Sequence, residues 1–261
     1  MSFLQQISVL ILTFNEAPNI GRTLAALTDF PEVVLLDSGS TDDTLAIAGR
    51  FPNVRVVHRP FDSFANQWNH GLTSCGLKRE WVLALDADYL LPQALVDEMG
   101  RLTPEEGTVS GYRVGFRYSV FGRTLSGTLY PPLVVLYRRA RVHYIQDGHC
   151  MRAQVAGEVG ALGERILHDD RKSLARWLSS QARYAEQEAE LLMSVPPASL
   201  KLQDRIRRLM VVAPWLVPLY CLTVGKGFRD GWAGIFYALQ RGVAEGILAI
   251  QLLEVRLRGK P

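Results

Sequence analysis

The 261-residue sequence predicts an α/β fold in which a mostly parallel sheet is covered by helices on both faces. Short apolar runs rich in Val, Ile and Leu alternate with segments of helical spacing over the first 100 residues. A polar loop follows each apolar run, which is typical of the ends of parallel strands. Beyond residue 108 the runs become shorter and rich in Tyr, Val, Phe and Arg, which predicts a mixed or antiparallel extension of the sheet.

The first part of the chain contains predicted strands and helices in strict alternation. The strands are predicted at 7–13, 33–37, 54–58 and 81–85, and the helices at 20–27, 42–51 and 63–76. Ser40 or Thr41 is the expected N-cap of the second helix, because a hydroxyl there can accept a hydrogen bond from a first-turn N–H. Such repetition favours parallel strands joined by crossover helices.

The C-terminal part of the chain is predicted to be helical. From Ser173 the sequence SLARWLSSQARYAEQEAELLMS keeps apolar residues at helical spacing, and Pro196-Pro197 ends that helix. Residues 199–261 are both basic and apolar, and the run LMVVAPWLVPLYCLTV at 209–224 is shorter than the roughly 20 residues that span a bilayer. The segment therefore predicts amphipathic helices rather than a membrane span.

Composition narrows the class of protein. A hydrophobic content of 48% suits one large domain with an appendage, and a net charge of +3 does not indicate a nucleic-acid partner. The three cysteines have no close spacing, which argues against a disulfide framework and favours a reducing, cytosolic compartment. The chain enters ISVLILTFNE almost at once, and this start indicates a first strand rather than a signal peptide.

Two carboxylates, Asp86 and Asp88, follow the apolar run of the fourth predicted strand. Solvation of a strand end would explain them, but Mg²⁺ and Mn²⁺ are also typically bound by one or two carboxylates together with water and substrate phosphates. Neither G-x-G-x-x-G nor G-x-x-x-x-G-K-[ST] occurs in the sequence. A bound nucleotide would therefore be held by side chains and a metal ion rather than by a glycine-rich loop.

Polar side chains also follow the first three predicted strands, as TFNE at 13–16, DSGSTDD at 37–43 and His58-Arg59. Because the carboxyl ends of parallel strands meet at one edge of a sheet, we expect these loops to converge. Asp37 precedes the expected helix cap, so local structure does not require it. Asn15 and Glu16 have an alternative interpretation as the entry to a helix.

The motifs TFNE at 13–16, DSGSTDDT at 37–44 and DAD at 86–88 resemble, in order and spacing, the nucleotide-sugar half of family 2 glycosyltransferases with the GT-A fold. Later segments are similar to the branch that contains the lipopolysaccharide-core type glucosyltransferases: FDSFANQWNHGL at 61–72, YIQDGHCMRA at 144–153, HDDRKSLARW at 168–177 and GFRDGWAGIFYAL at 227–239. The resemblance implies a nucleotide-sugar-binding half at 1–107, an acceptor-binding half of the same GT-A domain at 108–198, and a membrane-associating helical segment at 199–261.

The resemblance implies a UDP-sugar donor and a role for most of the strand-end residues. Asp88 would ligate Mg²⁺ or Mn²⁺. Many members of the branch carry Glu directly after their Asp-x-Asp, whereas Tyr89 follows here, so an additional acidic ligand is missing. The residues expected to bind the donor are Thr13, Asn15, Glu16, Asp37, Arg59, Gln67, Asn69 and Asp86.

A carboxylate in the acceptor half is expected to act as the general base for inversion by single displacement. Asp147 and His149 lie where the branch carries its His-containing acceptor motif, and Cys150 replaces the Glu that follows this His in many relatives. Asp147 is therefore the preferred base. Asp169 and Asp170 are further candidates, with the alternative that they are the N-cap and first turn of a helix beginning near residue 172.

The basic residues that follow are candidates for binding the acceptor. Arg171, Lys172, Arg176 and Trp177 would receive an anionic acceptor or the diphosphate, although Trp177 has an alternative role in packing its helix. Basic clusters beside apolar helices indicate an anionic membrane surface as a partner, and the alternative is a helical lid or dimer interface. We expect a peripheral location on the inner face of the cytoplasmic membrane and a lipid-linked or lipopolysaccharide-type acceptor.

Two other functions compete with glycosyl transfer. A sugar-nucleotide pyrophosphorylase would need a glycine-rich activating loop with a basic residue near the N-terminus, and TFNEAPN does not provide one. A membrane-bound scaffold that has kept the fold and lost turnover is the other alternative, which Tyr89 and Cys150 make conceivable.

Overall fold

The computed structural model describes residues 2–104, 108–147 and 150–259, without the side chains of Asp147 and Cys150. The strands are β1 Ile7–Thr13, β2 Glu32–Asp37, β3 Val54–His58, β4 Trp81–Asp86, β5 Tyr89–Leu90, β6 Val109–Val120, β7 Arg123–Thr124, β8 Leu133–Arg138, β9 Val142–Asp147, β10 Cys150–Val155 and β11 Glu158–His168. The helices are α1 Ile20–Ala25, α2 Thr44–Ala48, α3 Phe64–Ser74, α4 Gln93–Gly100, α5 Leu174–Ser194, α6 Leu202–Arg208, α7 Ala213–Leu222 and α8 Gly231–Leu257.

The chain forms two compact units. The first contains Met1–Ser119 and Tyr130–Arg171, and the second contains Val120–Leu129 and Lys172–Pro261. Helix α5 packs against α8 in the second unit, because its small and apolar residues share a core with that helix. The predicted donor-binding half at 1–107 and acceptor-binding half at 108–198 stay predictions.

The first unit is built on one mixed sheet with the strand order β3-β2-β1-β4-β8-β6-β11-β5. Strands β3, β2, β1 and β4 run parallel to one another. Strand β8 is antiparallel to β4 and β6, while β6 and β11 are parallel. The predicted mostly parallel sheet and its antiparallel extension are therefore confirmed.

Alternating strand residues direct side chains to opposite faces of this sheet. On one face, Val9 and Ile11 belong to a buried cluster with Leu24 of α1 and Met99 of α4. On the other face, Leu10 joins a second buried cluster that contains Trp68 and Leu72 of α3. Helices therefore cover both faces, as the continuous apolar strands predict.

The register of the parallel strands brings their polar ends to one edge. Thr13 lies opposite Asp37, and Asp37 lies opposite His58. Asp86 lies opposite Leu12, one residue before Thr13. The polar strand ends therefore share one rim of the sheet.

Two predicted helix caps are wrong. Helix α2 begins at Thr44 with Asp43 at its N-cap position, because the Ser40 and Thr41 groups are instead hydrogen-bonded to Asp37 and Asn15 in the preceding loops. Helix α5 begins at Leu174, and the Ser173 hydroxyl accepts the hydrogen bond from the Arg176 N–H. Asp169 and Asp170 are therefore not its cap and first turn.

The second unit consists largely of α5 to α8. Ala185, Ala189 and Leu192 of α5 share a buried cluster with Leu248 and Leu252 of α8. An ion pair with an Nη2–Oε1 distance of 2.8 Å joins Arg207 of α6 to Glu245 of α8. In the described part of the chain, no helix combines the length and the apolar character needed to cross a membrane.

Candidate active site

The centre of the candidate site is formed where β4 ends. Asp86 is the last residue of β4. Three residues later in the chain, Tyr89 of β5 pairs with His168 of β11. The Asp88 carbonyl accepts a hydrogen bond from the Asp169 N–H at 3.3 Å. This short antiparallel pairing brings the end of β11 beside the two acids.

Asp88 faces His168 across this pairing. The distance from Asp88 Oδ2 to His168 Nε2 is 3.4 Å, and Asp88 is only 8% exposed. Burial opposes protonation of the imidazole, but the carboxylates of Asp88, Asp86 and Asp170 outweigh burial, so the pKa of His168 is raised above its ordinary value. Three carboxylates therefore place negative charge around this imidazole.

The Asp88 and His168 pair fits a divalent cation. Two ligands at about 2.1 Å from one ion and near right angles lie about 3 Å apart, so 3.4 Å is compatible with shared coordination. A carboxylate together with an imidazole suits Mn²⁺. Among the described residues no cluster of three or more potential ligand side chains occurs. The remaining ligands would therefore be substrate phosphate and water, as is common for such ions.

Tyr89 belongs to an aromatic cluster rather than to the acidic group. Its ring contacts Phe116 at 5.1 Å and His168 at 5.3 Å between ring centroids. Its hydroxyl lies 2.5 Å from the hydroxyl of Tyr130, whose ring also packs against His168. Burial is the largest cause that raises the pKa of Tyr89 well above its ordinary value. Tyr89 therefore packs around the imidazole as a neutral side chain.

Asp37 is completely buried and orders its own loop. Its carboxylate accepts hydrogen bonds from the backbone N–H groups of Gly39 at 2.9 Å and Ser40 at 3.0 Å. The Ser40 hydroxyl donates to the same carboxylate at 2.5 Å, and Gly39 has a φ of 92° that favours glycine. His58 Nδ1 lies 3.4 Å from Asp37 Oδ2. The carboxylate therefore fixes the backbone that follows β2.

Asn15 and Glu16 brace the loop after β1 against the loop after β2. Asn15 Oδ1 accepts from the Thr41 N–H at 2.7 Å, and the Asn15 N–H donates to the Ser40 hydroxyl at 2.8 Å. The Glu16 N–H donates to Thr44 Oγ1 at 2.7 Å. These bonds make one rigid wall from two loops.

Thr13 is the last residue of β1, directly before the first of these two loops. It is 3% exposed, and its hydroxyl has no hydrogen-bond partner among the described residues.

Arg59 and Gln67 connect the loop after β3 to the same wall. Arg59 Nη1 and Nη2 both donate to the Asp62 carboxylate, and these bonds are the main cause that lowers the pKa of Asp62. Arg59 also bonds to the Gln67 amide oxygen, and Gln67 Nε2 donates to Ser38 Oγ at 2.8 Å. Arg59 and Gln67 therefore support one another beside Ser38.

The Asn69 side chain is bonded to the backbone of β9. Its Nδ2 donates to the Tyr144 carbonyl at 2.8 Å, and its Oδ1 accepts from the Tyr144 N–H at 2.9 Å. The neighbouring Trp68 ring stacks on the Tyr144 ring at a centroid distance of 5.4 Å. Asn69 therefore anchors α3 to β9.

Asp169 forms ion pairs with two arginines. Arg22 Nη1 lies 2.7 Å and Arg171 Nη2 lies 2.9 Å from Asp169 Oδ2, and Asp169 is 3% exposed. Its neighbour Asp170 is partly exposed and adds its charge to the surroundings of His168. Of the two acids, Asp170 is the more accessible one near the centre of the site.

Asn19 links the two sides of the rim. It is fully buried, and its Nδ2 donates to Glu16 Oε2 and to Asp170 Oδ1, both at 3.0 Å. Its Oδ1 accepts from Arg22 Nη2 at 2.9 Å and from the Arg171 N–H at 3.0 Å. This one amide holds the segment after β11 against the start of α1.

Several predicted residues cannot be placed at this rim. The Asp147 side chain and His149 lie outside the described residues. Lys172, Arg176 and Trp177 belong to the second unit, around the start of α5, where Trp177 is half-buried. The structure describes Arg171 within the first unit, on Asp169.

The structure adds His168, Asn19 and Arg22 to the predicted residues. His168 stands at the end of a strand, which was a usable signal, but its contact with Asp88 depends on the pairing of β5 with β11. Asn19 precedes the short helix α1 and Arg22 lies within it. Nothing in their spacing indicates the acids that they bind.

Comparison with known sequences identifies the family. The sequence profile described as "Glycosyl transferase family 2" matches residues 8–162, which is more than half of the 261-residue chain. The lipopolysaccharide core biosynthesis glycosyltransferase LpsC of Rhizobium meliloti (strain 1021) is 29% identical over 120 residues, covering 44% of this chain and 44% of that protein. An uncharacterized glycosyltransferase of Rickettsia conorii is 35% identical over 99 residues, covering 38% of this chain and 34% of that protein. The matched segment therefore spans less than half the length of these relatives.

Two solved structures show a distant likeness. S. aureus TarS 1–349 in complex with UDP-GlcNAc has a TM-score of 0.45 at 17% identity, covering 98% of this chain and 92% of that chain. Glucosyl-3-phosphoglycerate synthase from Mycobacterium tuberculosis, in complex with Mn²⁺, UDP and glucosyl-3-phosphoglycerate, has a TM-score of 0.46 at 21% identity, covering 74% and 81%. The assignment rests on the sequence match: the chain belongs to glycosyl transferase family 2.

Proposed function

We propose that this enzyme is a metal-dependent, inverting glycosyltransferase that moves one sugar from a UDP-sugar to a hydroxyl of a lipid-linked or lipopolysaccharide-type glycan at the cytoplasmic membrane surface. The observation that carries the proposal is the Asp88 and His168 pair, 3.4 Å apart at the rim where the parallel strands end. In open α/β sheets this rim is where ligands bind.

Asp88 Oδ2 and His168 Nε2 would hold Mg²⁺ or Mn²⁺ in this proposal. When bound, the cation would stabilise the negative charge that develops on the departing diphosphate. The aromatic rings of Tyr89 and Tyr130 keep the imidazole turned toward Asp88. Tyr89 thus contributes to the orientation of His168 and not to the charge of the site.

The loops after the first strands would bind the nucleoside of the donor. The two hydrogen-bonded loops after β1 and β2 carry Thr13, Asn15, Glu16 and Asp37. The buried Asp37 carboxylate bonds to the backbone of its own loop and fixes it. Rigid loops orient a ligand at low entropic cost. The half-buried Asp86 lies at the end of β4 and would face the ribose and diphosphate.

The proton of the acceptor hydroxyl would pass to a carboxylate. Asp147 is the base preferred from its motif, and His149 follows it two residues later in the sequence. Asp170 is the other candidate, because its charge acts on His168 in the described site. Asp169 is less suited to this role, because it is buried and its carboxylate is already bonded to Arg22 and Arg171.

The acceptor class is proposed from composition and from a relative. LpsC of Rhizobium meliloti is named as a lipopolysaccharide core glycosyltransferase. Residues 199–261 of this chain are rich in Arg, Lys and apolar residues, which suits work on an anionic membrane. Arg171, Lys172, Arg176 and Trp177 would contact the anionic acceptor or the diphosphate.

The first test measures UDP release from a panel of UDP-sugars with Mn²⁺ or Mg²⁺. We expect metal-dependent release by the wild type with at least one donor. Asp88→Ala should reduce release by about 100-fold or more, as loss of a group that stabilises leaving-group charge does. Asp97→Asn, which alters an exposed carboxylate of α4, is the matched control and should leave release unchanged. Robust release by Asp88→Ala would refute the metal assignment, and no release with any donor would favour the scaffold function.

The second test assigns the base with Asp147→Asn and Asp170→Asn. Loss of a general base should slow sugar transfer by about 100-fold or more while UDP-sugar binding is retained. Only one of the two variants should show this loss. If both transfer sugar at the wild-type rate, the base is neither of these acids.

A further inference from the structure

Helix α8 exposes a continuous apolar stripe. The stripe is formed by Trp232, Ile235, Leu239, Val243, Ile250 and Leu257, whose exposed fractions lie between 37% and 84%. At 100° per residue these positions fall within about 80° of the helix circumference. Between the first and last of them the helix rises by about 38 Å at 1.5 Å per residue. The stripe thus runs along almost the whole helix.

The opposite face of α8 is already covered. Ala233, Ala238, Leu248 and Leu252 are buried, and α8 packs with α5 and α7 in the second unit. The helix is therefore apolar on two faces, of which only one is buried. An exposed apolar surface of this length is unusual for a monomer and marks an interaction surface.

Helix α7 adds further exposed apolar side chains to the unit. Trp215 is 81% exposed, and Leu216, Leu219 and Tyr220 follow it at helical spacing on an exposed face. Trp and Tyr side chains favour the boundary between water and lipid, because each combines an apolar ring with a polar group. This composition favours a lipid surface as the partner.

Charge distinguishes a membrane from a second copy of the chain. The four acids of residues 199–261 are already engaged: Asp204 and Glu245 pair with Arg207, Glu254 pairs with Arg258, and Asp230 accepts two hydrogen bonds from Ser126. The remaining basic residues are Lys201, Arg205, Arg208, Lys226, Arg229, Arg241 and Arg256. A segment with this excess of positive charge repels its own copy and attracts anionic lipids.

We propose that α8 lies in the plane of an anionic membrane surface, with its stripe at the boundary between headgroups and acyl chains. A stripe that extends along the helix can be buried over its full length only if the helix lies flat. The inference deepens the proposed action at a membrane and rests on it for its purpose. Binding itself requires neither the donor nor the metal.

The test compares sedimentation of the full chain with phosphatidylcholine vesicles and with vesicles that also contain phosphatidylglycerol. We expect binding to the anionic vesicles and at least about tenfold weaker binding by Leu239→Gln/Leu257→Gln, since each Leu loses its apolar burial. The control Leu174→Gln/Leu178→Gln changes two exposed leucines of α5 and should bind within about twofold of the wild type. Far-ultraviolet circular dichroism should show unchanged helix content in both variants.

Two outcomes would overturn the inference. One is wild-type binding of anionic vesicles by the stripe variant. The other is a dimer of the wild type, seen by analytical ultracentrifugation without vesicles, that the stripe variant loses. UDP release from soluble donor should be equal in all three proteins. A chain that binds vesicles but releases no UDP would contradict the proposed enzyme reaction without contradicting membrane binding by α8.

Discussion

Tyr89 occupies a position where a third acid would be poorly accommodated. Its side chain is 3% exposed and lies among Phe116, Tyr130 and His168. A carboxylate there would lose its hydration among aromatic rings, which is costly. The hydroxyl instead bonds to Tyr130. Tyr89, in place of the Glu that many members of the branch carry, therefore suits a site in which His168 is the proposed second ligand.

A residue-scale prediction concerns Glu32 at the opposite end of the sheet. Its carboxylate accepts hydrogen bonds from Ser8 Oγ at 2.5 Å and the Lys78 N–H at 2.9 Å, and it lies near Arg55. Burial raises the pKa of Glu32, but these partners lower it by more, so the folded-state pKa lies below 4.5. Its contribution to stability is therefore complete above the unfolded-state pKa and is lost as the pH falls through the folded-state pKa.

Glu32→Gln should lower the free energy of unfolding by about 1–3 kcal/mol at about pH 7, because buried hydrogen bonds to a charged group are lost. The difference from the wild type should shrink as the pH falls below about 4.5. Urea denaturation followed by circular dichroism measures both values, with exposed Glu190→Gln as the control. A difference that stays constant down to about pH 3.5 would contradict this assignment.

The residues of the site differ in how far they could be predicted. Asp86 and Asp88 come at the end of a buried strand, and that position made them candidates, while their roles were implied by the family resemblance. Asn19 and Arg22 could not be identified in this way, because their partners Asp169 and Asp170 lie far along the chain. Such long-range pairs depend on how β11 returns to the sheet.

At the scale of elements, the first strands match their predictions because each is a continuous apolar run. The start of α2 does not, although Ser40 and Thr41 are good capping residues. Asp37 and Asn15 compete for the same groups and hold them in the loop. Tertiary hydrogen bonds therefore decide where this helix begins.

A prediction at this scale concerns two glycines of α8. A Cβ on Gly234 would lie 1.9 Å from the Gly227 carbonyl oxygen, whereas a Cβ on Gly246 would meet nothing within 4 Å. Gly234→Ala should destabilise the helical unit by about 1–3 kcal/mol or more, because the turn before α8 must move. Gly246→Ala should stabilise it by about 0.5–1 kcal/mol through helix propensity.

Thermal unfolding followed by circular dichroism compares the two variants. The midpoint should fall for Gly234→Ala and should not fall for Gly246→Ala. A wild-type midpoint for Gly234→Ala would show that the turn around Gly227 packs less closely against α8 than the structure indicates.

At the scale of the whole molecule, the α/β class and the polar rim follow from alternation of apolar runs and polar loops. The division into units was not predictable from such patterns. Residues 120–129 interrupt the first unit in sequence, yet Ser126 and Leu129 bond to Asp230 and Tyr237 of the second unit. Hydrophobic periodicity identifies elements and does not show which of them share a core.

The central claim is that Asp88 and His168 together bind the divalent cation. Titration of Mn²⁺ into the protein with UDP present, followed by isothermal calorimetry, measures this directly and needs no knowledge of the acceptor. We expect Asp88→Asn and His168→Gln each to weaken Mn²⁺ binding by more than about 100-fold, since each removes a direct ligand, while Asp97→Asn binds as the wild type does. Wild-type Mn²⁺ affinity in Asp88→Asn would contradict the account.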